Sequence, residues 1–241
     1  MQILGLGLLV FVVQYGFADR GTTTVSAFDP HALVMVLGGS LSAILVSSSS
    51  STTWRTLACL RELVPGARTI QRATEAIEVE RKKFAELWLD GKRAQAVEVA
   101  EKSAFAPIQR MLPLVLGRAP EEASRATYTE LRHAELSRWQ PAIGNWELLA
   151  KLGPSFGMVG TITGMVKLFQ SMGNGNMDLG AAISLALVAT LYGVAFGAGI
   201  AGPIGHYLRN LLDERLGAVE RCEQSANELI ARGGRDARAA G

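Results

Sequence analysis

The sequence predicts an all-α, polytopic membrane protein with four transmembrane helices and a helical cytoplasmic domain between the second and third of them. Hydrophobic residues make up 49% and charged residues only 19% of the 241 residues, and the mean hydropathy is +0.20. This composition is more apolar than that of an average soluble domain. The charges are concentrated between apolar runs, several of which approach the roughly 20 residues that a membrane-crossing helix needs. No segment shows the alternation typical of a strand.

The first two transmembrane helices are predicted in the N-terminal fifth of the chain. Residues 1–17 are apolar and lack the basic start and clear cleavage site of a secretory signal, so they are expected to remain as the first helix. Residues 18–29 would form a periplasmic loop. Asp29 and Pro30 are typical of a helix N-cap and first turn, so the second helix is assigned to 30–50, ending in a polar serine run.

Residues 51–146 change abruptly in composition, with basic and acidic residues in nearly equal number. Apolar positions recur at helical spacing between Arg72 and Leu89. Asp90-Gly91 is a helix breaker, and further helices are expected from about 92–103 and 121–139. The segment is therefore predicted to be a compact helical domain.

The last two transmembrane helices are assigned to 147–172 and 179–208, joined by a periplasmic loop at 173–178. Neither apolar run, Leu148–Met172 or Leu179–Leu208, contains an Asp or Glu. In the middle of these runs stand Thr161 and Thr190, each surrounded by small residues at helical spacing. Small residues let membrane helices approach closely. We therefore expect the two helices to pack through a face that includes Gly157, Gly160, Gly164, Gly193 and Gly197.

The distribution of Lys and Arg predicts the topology. The loop at 18–29 has only Arg20 and the loop at 173–178 has no basic residue. Basic residues are concentrated in 51–146 and in the C-terminal helix and tail, 209–241, so these segments and both termini should be cytoplasmic. The net charge of +2 gives no indication of a nucleic-acid partner.

No motif in the sequence indicates an enzyme, a cofactor or a metal centre. The chain has no GxSxG, P-loop or HExxH motif, and its three His and two Cys lack metal-ligand spacing. The mid-helix hydroxyls of Thr161 and Thr190 could line an ion path or simply bond their own helix backbone. A threonine hydroxyl does not ionise at physiological pH and cannot be the acidic carrier, so conduction would need an Asp or Glu from a partner. Pro154 and Pro203 are candidates for helix bending and conformational coupling.

Three segments resemble the MotA/PomA flagellar stator A-subunits. With the four predicted spans and the helical insertion between the second and third, the resemblance covers nearly the whole chain. The segments are DPHALVMVLGGSLSAILVS, LGPSFGMVGTITGMVKLFQSMGN and LGAAISLALVATLYGVAFGAGIAGPIGHYL. The wider superfamily includes ExbB and TolQ, which have three spans and share strongly only the last two helices. The second helix, with its LGG, therefore favours the MotA side.

The resemblance implies a homopentamer in the bacterial inner membrane, around a dimer of a MotB/PomB-like B-subunit. That partner would supply a transmembrane Asp and anchor the assembly to peptidoglycan. Pro154, Thr161, Thr190 and Pro203 stand at the family's functional membrane positions, and the translocated ion would be H⁺ or Na⁺. The alternatives are an ExbB/TolQ-type channel that energises a periplasmic or outer-membrane client, and a passive membrane scaffold.

The family's cytoplasmic domain contacts the flagellar rotor switch protein FliG through one acidic and one basic residue. Glu98 matches the acidic position, whereas Asp90 stands at the basic one. Lys92 and Arg93 are the displaced basic candidates. The alternative is that these charges only solvate a helix face.

Overall fold

The computed structural model describes residues 29–64, 69–173 and 179–239, and every regular element in these ranges is helical. This confirms the predicted all-α class. The predicted first transmembrane helix, nearly all of the loop after it and nearly all of the loop at 173–178 lie outside the described residues. The chain divides into two compact units, one formed by Met1–Val64 with Pro141–Leu208 and the other by Pro65–Gln140 with Arg209–Gly241.

The first unit begins with a helix that is interrupted by one π-helical segment. Helix α1 (Pro30–Leu33) is followed by a π-helical segment, Val34–Gly38, and then by α2 (Gly39–Ser47). The Asp29 carboxylate accepts from the backbone N–H groups of His31 and Ala32, so it is the N-cap that the sequence indicated. The helix ends at Ser47, before the expected residue 50, because Ser48 has an extended backbone.

A second short helix, α3 (Ser50–Ala58), and a 3₁₀ turn at Cys59–Leu63 follow this break. A chain of buried and partly buried hydrogen bonds joins Ser48 and α3 to α7, the helix that spans Glu121–Gly173. Ser48 donates to Asn145 Oδ1 at 2.7 Å, and Asn145 Nδ2 donates to Thr56 Oγ1 at 2.9 Å. The Trp146 indole donates to the Thr56 carbonyl. Because these groups are buried, their bonding fixes the path of the chain after Ser47.

Helix α7 is continuous through Pro141 and Pro154. The sequence instead indicated an amphipathic helix at 121–139 and a separate transmembrane helix from 147. The break is absent because a proline removes only one intrahelical bond, and the packing on either side of it keeps the helix intact.

The last helical stretch, from Leu179 to Ala239, contains a second π-helical segment. Helix α8 (Leu179–Val194) leads into a π-helical segment at Ala195–Ala201 and then into α9 (Gly202–Ala239). Pro203 cannot donate to the carbonyl of Gly199 and would crowd it in a regular helix. A π turn just before the proline relieves that crowding.

Two described segments are long and apolar enough to cross a membrane. They are Pro30–Ser47, with a mean hydropathy of 1.7, and the apolar window of Ile183–Gly233, with a mean hydropathy of 1.9. Only 22% and 33% of these windows are buried within the chain. Their apolar side chains thus mostly face outward, which suits lipid or a further helix better than a soluble core.

The second unit is built on α4 (Thr69–Leu89), α5 (Arg93–Lys102) and α6 (Ala106–Leu116). Helices α4 and α5 form a hairpin whose turn contains Gly91, with a φ of 77° that favours glycine. The largest buried side chains of its core are Ile77, Phe84, Ile108, Met111 and Tyr128.

A polar cluster joins α4 to α9 in this unit. Glu78 accepts from Arg81 and from Arg221, and Arg81 also donates to Ser225 Oγ at 2.7 Å. Burial by itself would raise the pKa of Glu78, but the hydrogen bonds and charges of the two arginines outweigh it and lower the pKa below its ordinary 4.5. The carboxylate is thus stabilised in its charged form in the folded protein.

Acidification should therefore destabilise this unit through Glu78. Because its pKa is lower in the folded chain, the stabilisation is complete above pH 4.5 and is lost as the pH falls through the folded value. Glu78→Gln should lower the free energy of unfolding at pH 7 by about 1–3 kcal/mol and flatten its decline below pH 4.5. Circular dichroism of the detergent-solubilised chain measures both, with the exposed Glu122→Gln as the control. Equal acid sensitivity in Glu78→Gln and the wild type would contradict this role.

Candidate functional site

Glycines bring the backbones of α7 and α8 into direct contact. A Cβ built on Gly193 would lie 2.5 Å from the carbonyl oxygen of Gly153 and 2.9 Å from the Cα of Gly157. One on Gly157 would lie 3.1 Å from the Cα of Thr190. A side chain at Gly193 would collide with backbone atoms, and one at Gly157 would be tightly crowded by them. The helices thus form a dry, closely packed seam. We call the contact of residues 153–160 with residues 189–197 the glycine seam.

The helical segment that contains Met35 and Gly39 also packs against α7 and α8. A Cβ on Gly160 would overlap the Ala189 side chain and would lie 3.6 Å from the sulfur of Met35. A Cβ on Gly39 would overlap the Phe156 ring. The first helical segment of the unit thus packs on α7 and α8. Gly164, one turn beyond Gly160, is also buried.

Pro154 and Gly197 meet at one end of the glycine seam. A Cβ on Gly197 would lie 2.5 Å from Pro154 Cδ and 2.7 Å from the Ala150 carbonyl oxygen. Because Pro154 has no N–H, it cannot donate to that carbonyl as it would in a regular helix. The freed carbonyl faces Gly197, which itself belongs to the π-helical segment at Ala195–Ala201. Pro203 lies exposed just beyond this segment.

The Thr190 hydroxyl lies inside the glycine seam. It donates toward the Ala186 carbonyl at 3.2 Å and the Gly157 carbonyl at 3.4 Å. A hydroxyl has one proton, so the two acceptors share it. The second bond crosses from α8 to α7 and gives the seam a polar contact in addition to its backbone packing.

The Thr161 hydroxyl has a different environment. It donates to the Met158 carbonyl of its own helix at 2.7 Å, and the residue is half-buried. The acceptors of Thr190 are both backbone carbonyls, so the structure does not join the two hydroxyls. The packed glycines also leave no room for water between 153–157 and 193–197. The same part of α7 presents exposed apolar side chains, namely Met158, Val159, Ile162, Met165, Val166 and Phe169.

Acidic residues of the first unit lie outside its apolar helices. Among the described residues of this unit they are Asp29, Glu62 and Glu147. Asp29 caps α1, Glu62 is buried in the 3₁₀ turn, and the stem of Glu147 packs beside Gly205. None lies in the middle of a span, so the described part of the unit provides hydroxyls there but no carboxylate. Glu147 was not among the residues predicted from the sequence. Its contact with Gly205 of α9 becomes visible only in the folded chain.

The charged candidates of the second unit lie on or near the α4–α5 hairpin. Glu98 is exposed and pairs with Lys102 at 2.5 Å, which lowers the pKa of Glu98 and raises that of Lys102. Lys92 pairs with Asp90 across the turn at 3.4 Å. The Arg93 guanidinium lies 5.5 Å from the centre of the Trp88 ring.

Metal ligands and reactive thiols do not come together in the part of the chain that the structure describes. No group of three His, Cys, Asp or Glu side chains could hold a metal ion there. Cys59 and Cys222 are free and buried, and burial raises the pKa of the Cys59 thiol to about 11 and that of Cys222 to about 12. Both thiols should therefore be protonated and unreactive.

Residues 95–221 match the model of the MotA/TolQ/ExbB proton channel family. Among curated proteins, Motility protein A of Aquifex aeolicus is 30% identical over 92 residues, which are 35% of this chain and 36% of that protein. Motility protein A of Bacillus subtilis is 23% identical over 214 residues, which are 86% of this chain and 76% of that protein.

Two solved structures share the fold. The flagellar MotAB stator complex from Bacillus subtilis matches 95% of this chain and 88% of its own chain, with a TM-score of 0.75 and 22% identity. The MotAB structure of C. jejuni matches 95% of this chain and 89% of its own chain, with a TM-score of 0.66 and 16% identity. The helical arrangement is thus shared despite low sequence identity.

A methyl group at Gly193 should disrupt the glycine seam. The added Cβ would meet backbone atoms that cannot rotate away, so Gly193→Ala should lower the free energy of unfolding by about 1–3 kcal/mol. Gly144→Ala is the matched control, because a Cβ there would meet nothing within 4 Å. It should be neutral or stabilise the helix by up to about 1 kcal/mol. Thermal unfolding in detergent measures both, and equal stability of the two variants would contradict close packing at Gly193.

Proposed function

The chain belongs to the MotA/TolQ/ExbB proton channel family, and we propose that it is the A-subunit of an ion-driven flagellar stator. The observation that carries the proposal is the shared fold with two MotAB structures over 95% of the chain. Relatives named Motility protein A match 86% and 78% of the chain as well. An ExbB/TolQ-type energiser is not favoured, because the relatives that match most of the chain are motility proteins.

In this proposal, five copies surround a B-subunit dimer in the inner membrane. The B-subunit supplies the transmembrane Asp and anchors the assembly to peptidoglycan. The absence of a mid-span carboxylate among the described residues supports the need for such a partner. The exposed apolar face of α7, which includes Met158, Ile162 and Phe169, offers a surface for partner helices or lipid.

The proposed ion path runs along the partner-facing surface of each A-subunit rather than through its glycine seam. The seam is dry, whereas Thr161 is half-buried and its oxygen keeps lone pairs that can accept from water or coordinate Na⁺. Thr190 supports the path indirectly, because it links α8 to α7. The carried ion is H⁺ or Na⁺, loaded and released by the partner's Asp.

Pro154 and Pro203 are the proposed points at which protonation or ion loading becomes helix movement. The carbonyl freed by Pro154 faces Gly197, and the π-helical segment at Ala195–Ala201 immediately precedes Gly202 and Pro203. Wide turns and proline-containing turns have fewer regular hydrogen bonds, so bending costs less there than elsewhere in the helix.

The second unit is proposed to be cytoplasmic, with both termini, and to transmit torque to the rotor switch protein FliG. Glu98 is exposed, as a contact residue must be, and Lys92 and Arg93 lie at the nearby hairpin turn. Ion flow would rotate the ring around the fixed B-subunits, and these charges would act on the rotor.

Motility on co-expression with the B-subunit tests the proposal. Wild-type chain should restore swimming to a strain without its own stator, whereas the Thr190→Val and Pro203→Ala double variant should abolish it. The first substitution removes the hydroxyl that bridges the two helices, and the second removes the proline at the wide turn. Thr190→Ser keeps the hydroxyl and serves as the control that should swim. Normal swimming of the double variant, at equal membrane levels, would contradict the mechanism.

A further inference from the structure

An ion pair between α7 and α9 is largely buried in the second unit. Arg215 Nη2 donates to Glu135 Oε1 at 2.7 Å, and only 14% and 16% of the two side chains are exposed. In the pair of Arg125 with Glu121 on the surface of α7, the exposed fractions are 73% and 74%. Arg215 and Glu135 are 80 residues apart in sequence, so their bond forms only when the two helices pack together.

Arg215 interrupts an apolar face of α9. In the second unit, the buried apolar residues of this helix recur every three or four positions and so share one face, and Arg215 stands on it at the same spacing. Glu135 has an equivalent place on α7, one turn beyond Leu131 and two turns beyond Tyr128, both of which pack in the core. The buried apolar residues of α9 in this unit are Leu211, Leu212, Ala218, Val219, Cys222, Ala226 and Leu229.

The ion pair does not satisfy all of its buried polar atoms. Glu135 Oε2 and Arg215 Nε find no hydrogen-bond partner among the described residues, and neither does the Trp139 indole N–H, one turn along α7 from Glu135. Burying an ion pair costs hydration free energy, and apolar residues of similar size often give equal or higher stability. The pair is thus a poor source of stability. Polar residues on the packed faces of helices can instead fix which residues lie opposite each other.

The register of this ion pair agrees with that of the glycine seam. Counted along the sequence, Gly153 and Glu135 are separated by as many residues as Gly197 and Arg215. Both α7 and α9 include residues of the two units. Apolar side chains could make new contacts if one helix slipped along the other by a turn, whereas the same slip would separate the two charges of the pair.

We propose that Glu135 and Arg215 are positioning residues for torque transmission, which keep α7 and α9 in one register while the ring turns under load. The inference rests on the proposed function and adds two residues that belong neither to the proposed ion path nor to the proposed rotor contact. Movement that begins in the first unit would be lost in part if the two helices slid along each other. The ion pair opposes sliding, because separation would leave two buried charges without partners.

Replacing both charges by methionine separates register from stability. With the full chain and its B-subunit in cells, Glu135→Met with Arg215→Met should keep its membrane level and its co-purification with the B-subunit. The purified complex should unfold at or above the wild-type temperature, since no buried charge is left unpaired. Most of the stall torque of the motor should nevertheless be lost. The matched control is Glu121→Met with Arg125→Met, an exposed pair on the same helix, which should keep the wild-type torque.

Exchange of the charges is the second arm of the experiment. Glu135→Arg with Arg215→Glu should recover more stall torque than Glu135→Arg alone, because it restores a pair of opposite charges. Glu135→Met alone should lower the melting temperature by about 5–15 °C, since it leaves the Arg215 charge buried without its partner.

Three results would overturn the proposal. The first is wild-type torque in the double methionine variant. The second is a double methionine variant that unfolds as early as Glu135→Met, since the pair would then serve stability alone. The third is an exchange variant with no more torque than Glu135→Arg. Failure of the proposed function is distinct, because wild-type chain would then not restore swimming at all.

Discussion

Contact between glycine backbones is the constraint on which the membrane-spanning unit depends. Gly153 and Gly157 of α7 approach Gly193 of α8 and Gly197 of the π-helical segment after it so closely that no side chain fits between them. In lipid, where no hydrophobic effect drives helices together, such contact is the main source of packing energy. It also makes the seam dry. A path for ions must therefore follow a surface of the unit, and that surface is completed by another polypeptide in the proposed assembly.

Thr161 and Thr190 look alike in the sequence, but the close glycine packing gives them different environments. Thr190 is held within the seam and shares its proton between α7 and α8 acceptors, whereas Thr161 donates to a carbonyl of its own helix and stays half-exposed. The prolines differ in the same way. Pro154 packs on Gly197 inside the seam, and Pro203 lies exposed beyond a π-helical segment that accommodates it. Each pair thus combines one packing residue with one that is free to face a partner.

The second unit is stabilised by other interactions, namely a buried aromatic and aliphatic core and arginine–carboxylate pairs. Glu78 is fixed by arginines from its own helix and from α9, so this cluster is structural. Glu98 and Lys102 instead form an exposed pair on α5, near Lys83 of α4. Charges of the first kind stabilise the fold, whereas charges of the second kind remain available for a partner, which matches the proposed division between scaffold and rotor contact.

The sequence by itself determined the helical class, the Asp29 cap and the small-residue faces, because helical periodicity, capping and residue size are local properties. It missed the continuity of α7 through Pro141, the polar chain from Ser48 through Asn145 to Thr56, and the approach of Lys83 on α4 to Glu98 on α5. These features join residues far apart in sequence, or depend on packing that outweighs a local break. Only the tertiary structure decides them, because no short-range pattern encodes which distant side chains share a neighbour.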